Sequence, residues 1–578
     1  MKKLQIIFLA ACMLVCLVPF VGMAFHPTKD STENRRLSEF PSATAKDGGL
    51  NLDFFKEFDT WFNEHFAFRN ELVAADGMIQ GTIFKTSAEE QVIYGTDDWL
   101  YYSSTLGNYQ GTNCMDERER FNLQHNLEIV SDWAKEKGVE LLLTVPPNKN
   151  TLYGEHMPYY DAMIVNPFHT LDYMPEICKA SETHYADLAK LFRNEEETLY
   201  LKRDSHWNGK GALLAYNRIM EKSYVLLNSK YLSGNVPPLT DVDISYEDKS
   251  YVLMDPKNLG GNDQPFTDED ISYEDKKNME MKYESSVWTY EDYASAPATR
   301  AKETDGDLNR MLYTYYGEKE MDTYYKVDQN FSYVTATESV EDAWIETRAE
   351  GKKKTLLMFR DSFGNTLIPY VANQFGKATF SKESPYRLEK LVAEQRPDLI
   401  IMEKVERNLR DYITQPPIVE APEVLYKPEE SDKPEGTDKT GEQYTPEESD
   451  KPEGTDKSGE QYTPDNQDIT GKKDLQKMPD ISQGELIDAE ALEMKVETNP
   501  YDPSMVQISG TVPDERISTE TEIILSVNGT FYRTFHTEKS GFVVYLGNEK
   551  VSGDSCHVQV ILSDDGKYQM ISETTLSF

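Results

Sequence analysis

The sequence predicts an α/β domain built on a parallel sheet, followed by a disordered acidic spacer and a C-terminal all-β sandwich. Three patterns predict this order. Short apolar runs alternate with amphipathic helical patterns up to about residue 415, an 18-residue acidic segment then occurs twice, and short alternating runs follow. Strands that alternate with helices indicate a parallel sheet with right-handed crossovers and helices on both faces. A chain of 578 residues is long enough for two or three domains.

Residues 1–25 have the features of a leader. Two lysines precede an apolar run from Leu4 to Phe25, and residues 22–24 resemble a small-residue cleavage site. This pattern predicts a secretory signal peptide. The run is also long enough to span a bilayer, so an uncleaved membrane anchor is the alternative. Both interpretations place the rest of the chain outside the cytoplasm, secreted or at the cell surface.

Charge and cysteine content limit the classes of partner and cofactor. The chain has 60 basic and 101 acidic residues, a net charge of -41. This excludes nucleic acid, because phosphate binding needs a basic surface. An extracytoplasmic location permits a Cys114–Cys178 disulfide, and two buried free thiols are the equal alternative. No cysteine spacing suggests a metal site, and we expect neither a metal nor a cofactor.

Local periodicity predicts the elements of the α/β domain, which we assign to residues 26–415. Apolar residues at helical spacing predict helices, and short apolar runs bounded by turn residues predict strands. The predicted elements are a helix over 52–74, a hairpin over 92–102, a helix over 121–137, strands over 139–145 and 355–359, a helix over 366–375, a strand over 378–380, a helix over 386–394 and a strand over 399–402. Residues 240–345 are predicted to form an irregular insertion over the sheet, either plain surface structure or a substrate wall.

The composition changes sharply in residues 416–484. The segment 428–445 occurs again at 446–463 with one change, and each copy carries six acidic residues and almost nothing that could form a core. Such a composition predicts a disordered, self-repelling linker. Residues 485–578 then show short alternating runs, with Asn528-Gly529 as a strong hairpin signal. Their spacing predicts an immunoglobulin-like β-sandwich, which fits a ligand-binding module or a passive cap.

Two separated motifs predict a catalytic triad. In an extended segment residues two apart point the same way, so Asp204 can orient and polarise the ring of His206. Asn208 is the predicted N-cap of the helix that follows. Ser362 follows the predicted strand 355–359 at the start of a predicted helix, where a serine can act as nucleophile and free N–H groups can hold an oxyanion.

Plain structural roles remain open for all three residues. Ser362 or its neighbour Asp361 could merely cap the next helix. His206 could be a structural histidine, and Asp204 could be a cap. The triad interpretation gains support because reactive groups gather beyond the carboxyl ends of parallel strands. Three residues follow predicted strands in this way: Ser362, Asn148 and Arg407.

The motif Asp204-Ser205-His206-Trp207, with the later Asp361-Ser362-Phe363-Gly364, resembles the DHHW family and the related AlgX/AlgJ-type alginate O-acetyltransferases, which are SGNH-hydrolase-like. The resemblance covers about residues 30–415. Other matching stretches are 33–41, 59–69, 99–102, 146–149, 306–312 and 406–408. It implies a circularly permuted SGNH-hydrolase-like sheet, because an ordinary SGNH chain has its serine first and its Asp/His motif near its end. Ser205 stands where the family name has a histidine.

The resemblance implies acyl transfer outside the membrane, with Ser362 as nucleophile, His206 as base and Asp204 orienting the ring. Asn365, Arg407, Asn408 and Asn148 are the candidates for oxyanion or substrate binding, since no Gly-x-Asn-Asp motif follows strand 399–402.

The leading function is therefore an O-acetyltransferase on a cell-surface or secreted polysaccharide, beside a membrane-bound O-acyltransferase that supplies acetyl groups. A secreted carbohydrate acetylesterase with the same triad is one alternative. A non-catalytic glycan-binding or adhesion protein at the cell surface is the other.

Overall fold

The computed structural model describes residues 2–23, 25, 38–44, 49–69, 72, 75, 79–80, 89–229, 288–291, 300–313, 319–325, 327–424, 426–427, 476–477, 481–551, 553 and 555–577. Both acidic repeats and residues 230–287 of the predicted insertion lie outside this set. Across the described segments, no helix is both long and apolar enough to cross a membrane.

The helices of the described residues largely follow the predicted amphipathic segments. In chain order they are α1 (Lys2–Gly22), α2 (Phe54–His65), α3 (Leu106–Gln110), α4 (Glu117–Lys137), α5 (Lys149–Leu152), α6 (Thr170–Ala180), α7 (Leu188–Arg193), α8 (Gly209–Leu227), α9 (Asp307–Tyr313), α10 (Ile368–Ala372), α11 (Leu388–Gln395) and α12 (Asp411–Thr414). The helix predicted over 366–375 is shorter, because a 3-10 turn, Phe363–Thr366, precedes α10.

Most strands lie in the two predicted domains, and three short ones lie in the predicted linker, residues 416–484. In the first domain and the segments joined to it they are β1 (Val92–Tyr94), β2 (Leu100–Tyr102), β3 (Glu140–Thr144), β4 (His184–Ala186), β5 (Arg300–Thr304), β6 (Glu320–Tyr324), β7 (Phe331–Tyr333), β8 (Trp344–Ala349), β9 (Thr355–Phe359), β10 (Lys377–Ser381) and β11 (Leu399–Glu403). The remaining strands are β12 (Tyr426–Lys427), β13 (Gln476–Lys477), β14 (Ile481–Gln483), β15 (Lys495–Thr498), β16 (Met505–Thr511), β17 (Glu522–Val527), β18 (Thr530–Arg533), β19 (Phe535–Thr537), β20 (Gly541–Gly547), β21 (Ser555–Asp564) and β22 (Lys567–Ser577).

Helix α4 shows how local sequence defines an element. The Asp116 side chain accepts from the Glu119 N–H, and the Glu119 side chain accepts from the Asp116 N–H, which is a capping box. Gly138 ends the helix with φ of 68°, in the left-handed region that favours glycine. The predicted start at residue 121 was late because the capping signal begins at Asp116.

A seven-stranded sheet forms the first domain, in the order β4-β3-β11-β9-β10-β8-β7. Strands β4, β3, β11, β9 and β10 run parallel, while β8 is antiparallel to β10 and β7 is antiparallel to β8. The predicted α/β class is confirmed. The sheet is mixed, however, because β7, from the insertion, and β8, which begins at its end, add two antiparallel strands to one edge.

Both faces of this sheet are covered by helices. Along β9, Leu356 and Met358 pack with the apolar face of α8, whereas Leu357 and Phe359 pack with that of α4. A strand buried on both faces reads as a continuous apolar run, which is the pattern that predicted β9. Because the strands β4, β3, β11, β9 and β10 are parallel, their carboxyl ends lie at one edge of the sheet. Ser362 lies at that edge.

The C-terminal strands form two facing sheets, β14-β22-β21-β17-β18 and β15-β16-β20-β19, around an apolar core. Asn528 and Gly529 both have positive φ and join β17 to β18, which confirms the predicted hairpin. Strands β18 and β19 follow each other in the chain but belong to different sheets. Thr534 separates β18 from β19 there.

The β-sandwich packs directly against helix α4. The rings of His125 and His536 stack at 4.0 Å, and both side chains are buried. Asn126 donates to the His536 carbonyl and accepts from its N–H. The Arg118 guanidinium donates to the carbonyl oxygens of three sandwich residues, one of them Thr521 at 2.6 Å. The sandwich is thus attached through a polar as well as an apolar interface.

Two expectations about connections change with the structure. Ile418 and Val419, in the predicted linker, are fully buried, and the Ala421 N–H donates to the Tyr545 carbonyl of the sandwich. The permitted disulfide is absent, because Cys114 and Cys178 are free thiols. Cys178 is buried in the apolar core, which accounts for its presence without a partner sulfur.

Candidate active site

Ser362 occupies the turn that follows β9. Its side chain makes no capping hydrogen bond to the 3-10 turn that it precedes. Asp361 stabilises the turn instead: one carboxylate oxygen accepts from the Phe363 N–H at 2.8 Å, and the other accepts from the Val405 N–H at 2.8 Å. The hydroxyl of Ser362 is therefore available for chemistry.

His206 joins the two predicted motifs. Its Nε2 lies 2.8 Å from the Oγ of Ser362, and its Nδ1 lies 2.7 Å from Oδ1 of Asp204. The carboxylate favours a proton on Nδ1, which leaves Nε2 free to accept the proton of the serine hydroxyl. The side chains of His206 and Asp204 are 23% and 15% exposed, so the site is open to a substrate from one side.

Both carboxylate oxygens of Asp204 have partners. Oδ1 also accepts from the His206 N–H at 2.9 Å, and Oδ2 accepts from the Asp307 N–H at 2.9 Å. Burial alone would raise the pKa of Asp204, but the hydrogen bond and charge of His206 lower it below its usual range. Burial lowers the pKa of His206, but Asp204 and then Asp307 outweigh this and raise it. The ring is thus tuned to hold a proton during a reaction.

Trp207 ties the histidine loop to the serine turn. Its indole N–H donates to Oγ1 of Thr366 at 2.7 Å, and its ring meets Phe363 edge-on at 5.0 Å. Asn208 accepts from the Gly211 N–H and caps α8, as predicted. The His206 loop and the Ser362 turn are therefore held together beside the reacting atoms.

Lys149 binds the backbone of the loop that carries Asp204 and His206. Its ammonium group donates to the carbonyl oxygens of Leu201, Lys202 and Asp204 at 3.0, 3.0 and 2.6 Å. It also lies over the rings of Trp99 and Tyr101, at 5.5 and 5.2 Å from their centroids. Burial lowers the pKa of Lys149 to about 7, although the charges of Asp204, Asp307 and Glu320 oppose this fall. The sequence did not single out this role.

Arg407 lies over two aromatic rings, those of Phe363 and Tyr102. Its guanidinium carbon is 5.7 Å from the centre of the Phe363 ring and 5.8 Å from that of Tyr102. Its charge opposes the rise in the pKa of His206. Within the described part of the chain, the guanidinium makes no hydrogen bond or ion pair. It is the predicted candidate best able to meet a developing negative charge.

The other three candidates lie differently. The Asn365 side-chain oxygen accepts from the Arg360 guanidinium. The Asn408 N–H donates to the Val405 carbonyl at 2.9 Å, and its side chain is partly exposed. Asn148 is fully buried, and its side-chain amide has no hydrogen-bond partner among the described residues. The structure therefore brings Asp204, His206 and Ser362 into one hydrogen-bonded chain and gives Asn148 no exposure to a substrate.

A buried carboxyl supports the serine turn and was not anticipated. Glu403, at the end of β11, accepts from the Asp361 N–H at 2.9 Å. Burial, and then the charge of Asp361, raises the pKa of Glu403 well above its usual range. A Cβ on Gly364 would lie 2.8 Å from a Glu403 oxygen and 2.6 Å from the Arg360 Cβ. Glycine is needed there for this close approach.

Asp307 is the second unanticipated residue. Together with Asp204 and His206 it forms the one group in the described residues whose nitrogen and oxygen atoms lie close enough to hold a metal ion, within 4.8 Å of one another. The closest approach in this group is the 2.7 Å hydrogen bond from Nδ1 of His206 to Asp204. That bond is the arrangement a proton-transfer dyad needs.

One protein-family model matches part of the chain. Residues 92–229, which include Asp204 and His206, match the family model of the SGNH hydrolase-like domain of the acetyltransferase AlgX. This match confirms the predicted resemblance to SGNH-hydrolase-like proteins of the AlgX type. It ends before Ser362, so the case for the serine depends on the geometry above. None of the curated proteins matches the chain.

Several solved structures share parts of the fold. The match to PatB1 of Bacillus cereus has 15% identity, a TM-score of 0.36, and covers 55% of this chain and 96% of PatB1. A DHHW family protein from Eubacterium siraeum matches at 12% identity with a TM-score of 0.31, over 50% of this chain and 85% of that one. AlgX of Pseudomonas aeruginosa matches at 12% identity with a TM-score of 0.32, over 84% and 90%. At these scores the chemistry has to be argued from the site itself.

Proposed function

We propose that the protein is an extracytoplasmic O-acetyltransferase that acts on a cell-surface or secreted polysaccharide through an acyl-serine intermediate. One observation carries the proposal: Ser362, His206 and Asp204 form a continuous hydrogen-bonded chain at the carboxyl edge of the parallel strands. This is the arrangement that a serine nucleophile, its base and the orienting carboxylate require. The acetyltransferase named in the family match supports the choice of an acetyl group.

In the first half-reaction, the Ser362 Oγ attacks the carbonyl carbon of an acetyl ester. Its proton passes to Nε2 of His206, and Asp204 stabilises the imidazolium that forms. The ester C–O bond of the donor then breaks, and its departing oxygen takes the proton from Nε2. The acetyl group is left on Ser362.

In the second half-reaction, a sugar hydroxyl gives its proton to Nε2 of His206 and attacks the acetyl-serine. The bond between the acetyl carbon and Oγ breaks, and Oγ regains the proton from Nε2. The acetylated sugar leaves, and the triad returns to its starting state. No cofactor or metal takes part in either step as we propose it.

The tetrahedral intermediates carry a negative oxygen that needs donors. We assign this role to the Arg407 guanidinium and the backbone N–H of Ser362, with Asn365 and Asn408 as substrate-facing neighbours. One well-placed donor of this kind contributes about 3–4 kcal/mol. The partly exposed surface around Asn408 fits a long glycan better than a closed pocket would.

The proposed partners follow from the location. We infer that residues 1–25 bring the chain out of the cytoplasm, as a cleaved signal or as an anchor, and that a membrane-bound O-acyltransferase delivers the acetyl groups. We also propose a division into residues 26–415, 416–484 and 485–578, in which Ile418, Val419 and strand β14 are ordered parts of the middle segment. Protease added outside intact cells should digest the protein, whereas recovery of intact cytosolic protein would contradict this location.

The experiment compares wild type with Ser362→Ala on a soluble acetyl ester, with and without an oligosaccharide acceptor. Exposed Ser332→Ala is the matched control. We expect Ser362→Ala alone to lose turnover, and acetylated oligosaccharide to form only with an active serine. Acetate without acetylated sugar would instead identify an acetylesterase, an outcome that the water-accessible His206 ring allows. Full activity in Ser362→Ala would end both enzyme proposals and leave the adhesion protein.

A further inference from the structure

The predicted irregular insertion contributes an ordered clamp on the histidine loop. Strands β5 and β6 pair with each other, and β6 carries two carboxylates that hold the loop backbone. The Glu320 oxygens accept from the N–H groups of Lys202 and Arg203, both at 2.8 Å. Asp322 accepts from the Gly209 N–H at 2.8 Å. Both ends of the loop that carries Asp204 and His206 are therefore fixed by this segment.

Asp307, at the start of α9, reaches the centre of the same loop. Its Oδ1 accepts from the Ser205 N–H at 2.7 Å, and its Oδ2 accepts from the Ser205 hydroxyl at 2.5 Å. Its own N–H donates to Oδ2 of Asp204 at 2.9 Å. Its Oδ2 lies 3.5 Å from Nδ1 of His206. Two carboxylates therefore face one ring nitrogen.

The turn before α9 is built for this approach. Gly306 has φ of 62°, and a Cβ there would lie 2.3 Å from the Arg203 carbonyl oxygen. The Asn309 N–H donates to that same carbonyl at 3.0 Å. A larger residue at position 306 would push Asp307 away from Ser205, so the glycine is part of the arrangement.

We propose that Asp307 is a positioning residue for the triad, which locks the Asp204 carboxylate and sets a second negative charge beside Nδ1 of His206. The proposal rests on the acyl-transfer function argued above. Because Oδ2 of Asp204 is held by the Asp307 N–H, the carboxylate cannot rotate away from the ring. The second charge stabilises the imidazolium that each half-reaction forms. Ser205, where the family name has a histidine, is the link between Asp307 and the ring, its Oγ being 3.3 Å from Nδ1.

The charges around His206 give the sign of the expected effect. Asp204 and Asp307 raise the pKa of the ring, Arg407 lowers it, and the Ser362 hydroxyl is neutral. The ammonium group of Lys149 donates to the Asp204 carbonyl and not to the ring of His206. Removing the Asp307 charge should therefore lower the pKa of His206. The base is active when neutral, so the acidic limb of the kcat/KM profile should move to lower pH.

The test is Asp307→Asn, with Glu320→Gln as the matched control that loosens the same loop without touching the ring. NMR titration of the His206 imidazole, assigned by its loss in His206→Ala, measures the ring directly. We expect Asp307→Asn to lower the pKa of His206 by about one unit. We also expect kcat to fall about 10- to 100-fold with little change in KM. Glu320→Gln should leave the pKa of His206 unchanged. If Asp307→Asn and Glu320→Gln change the pKa of His206 and kcat by equal amounts, the proposal is wrong.

A second variant covers the case in which Asp307→Asn does not fold. In Asp204→Asn, Asp307 is the remaining carboxylate beside His206. The pKa of the ring should then fall, because burial lowers it and the hydrogen bond and charge of Asp204 are lost, and adding Asp307→Ser should lower it further. Equal pKa values in Asp204→Asn and in Asp204→Asn combined with Asp307→Ser would show that Asp307 contributes nothing. The NMR readout needs no turnover, so it tests Asp307 even if Ser362→Ala retains activity and the acyl-transfer function is wrong.

Discussion

The Nε2 atom of His206 lies 2.8 Å from the Oγ atom of Ser362, although 156 residues separate them in the chain. The histidine belongs to the loop before α8, and the serine belongs to the turn after β9. Trp207 and Thr366, one on each side, are joined by a 2.7 Å hydrogen bond. The contact between the two motifs is therefore supported by neighbours that take no part in the chemistry.

The first prediction concerns the triad as a unit. His206→Ala should lower turnover as much as Ser362→Ala, and the double variant should lose little more, because the residues act in one step. Asp204→Asn should retain more activity than either, since Asp204 only orients and stabilises the ring. Steady-state kinetics on an acetyl ester measures this. Multiplicative losses in the double variant would mean that the two residues act independently.

Arg407→Gln tests the oxyanion role. Loss of one donor should lower kcat by about 10²- to 10³-fold. Removal of the positive charge beside His206 should also raise the pKa of the ring, so the acidic limb of the pH profile should move to higher pH. This is the opposite direction from Asp307→Asn. Arg410→Gln, which removes an equal charge paired with Glu119, serves as the control. An unchanged kcat in Arg407→Gln would exclude the role.

Lys149→Met should loosen the histidine loop while keeping a side chain of similar length. Three carbonyls lose their donor, at a cost of about 1–3 kcal/mol for each that water does not reach. We expect a lower melting temperature and a lower kcat. Exposed Lys179→Met provides the comparison in thermal unfolding. Equal melting temperatures for the two variants would show that the buried ammonium does not hold the loop.

The stacked histidines at the sandwich interface predict acid sensitivity. Burial, with the Arg533 charge second, lowers the pKa of His125 from 6.5 to about 3, and burial lowers that of His536 well below its ordinary value. Both rings are neutral in the folded and unfolded chain above pH 6.5. Below it the unfolded chain binds protons that the folded one does not, so stability falls as pH falls, until about pH 3 for His125.

At pH 5 this loss should be about 2 kcal/mol for His125, and His536 should add to it. Denaturant unfolding at pH 7 and pH 5 measures it. His125→Gln removes one titrating ring and should reduce the slope with pH, whatever its effect on absolute stability. If His125→Gln leaves the slope unchanged, the stacked pair is not the cause.

Deletion of residues 446–463 tests the spacer. One repeat carries no core, so its loss should leave the melting temperature and esterase activity unchanged. Ile418→Ala is the contrasting change. Ile418 belongs to the same predicted linker but is fully buried, so its truncation should lower the free energy of unfolding by about 2–5 kcal/mol. A fall in melting temperature on deletion of the repeat would show that it packs against a folded domain.

Features that depend on near neighbours in the chain could be predicted before the fold was known. The alternation of apolar residues predicted β9 and β11, because the side chains on both faces of these strands are buried. The pairing of Asp204 with His206 followed from their separation of two residues in one loop. Ser362 was predicted as nucleophile from its place directly after a strand.

Partners that lie far apart in the chain became known from the folded arrangement alone. Asp307 contacts Ser205 from 102 residues away, and Lys149 reaches Asp204 from 55 residues away. The β-sandwich attaches to α4 through contacts between His125 and His536. These contacts are set by the order of strands in the sheet and by how loops close over it. A local pattern of side chains carries no information about either, because many closures bury the same apolar faces.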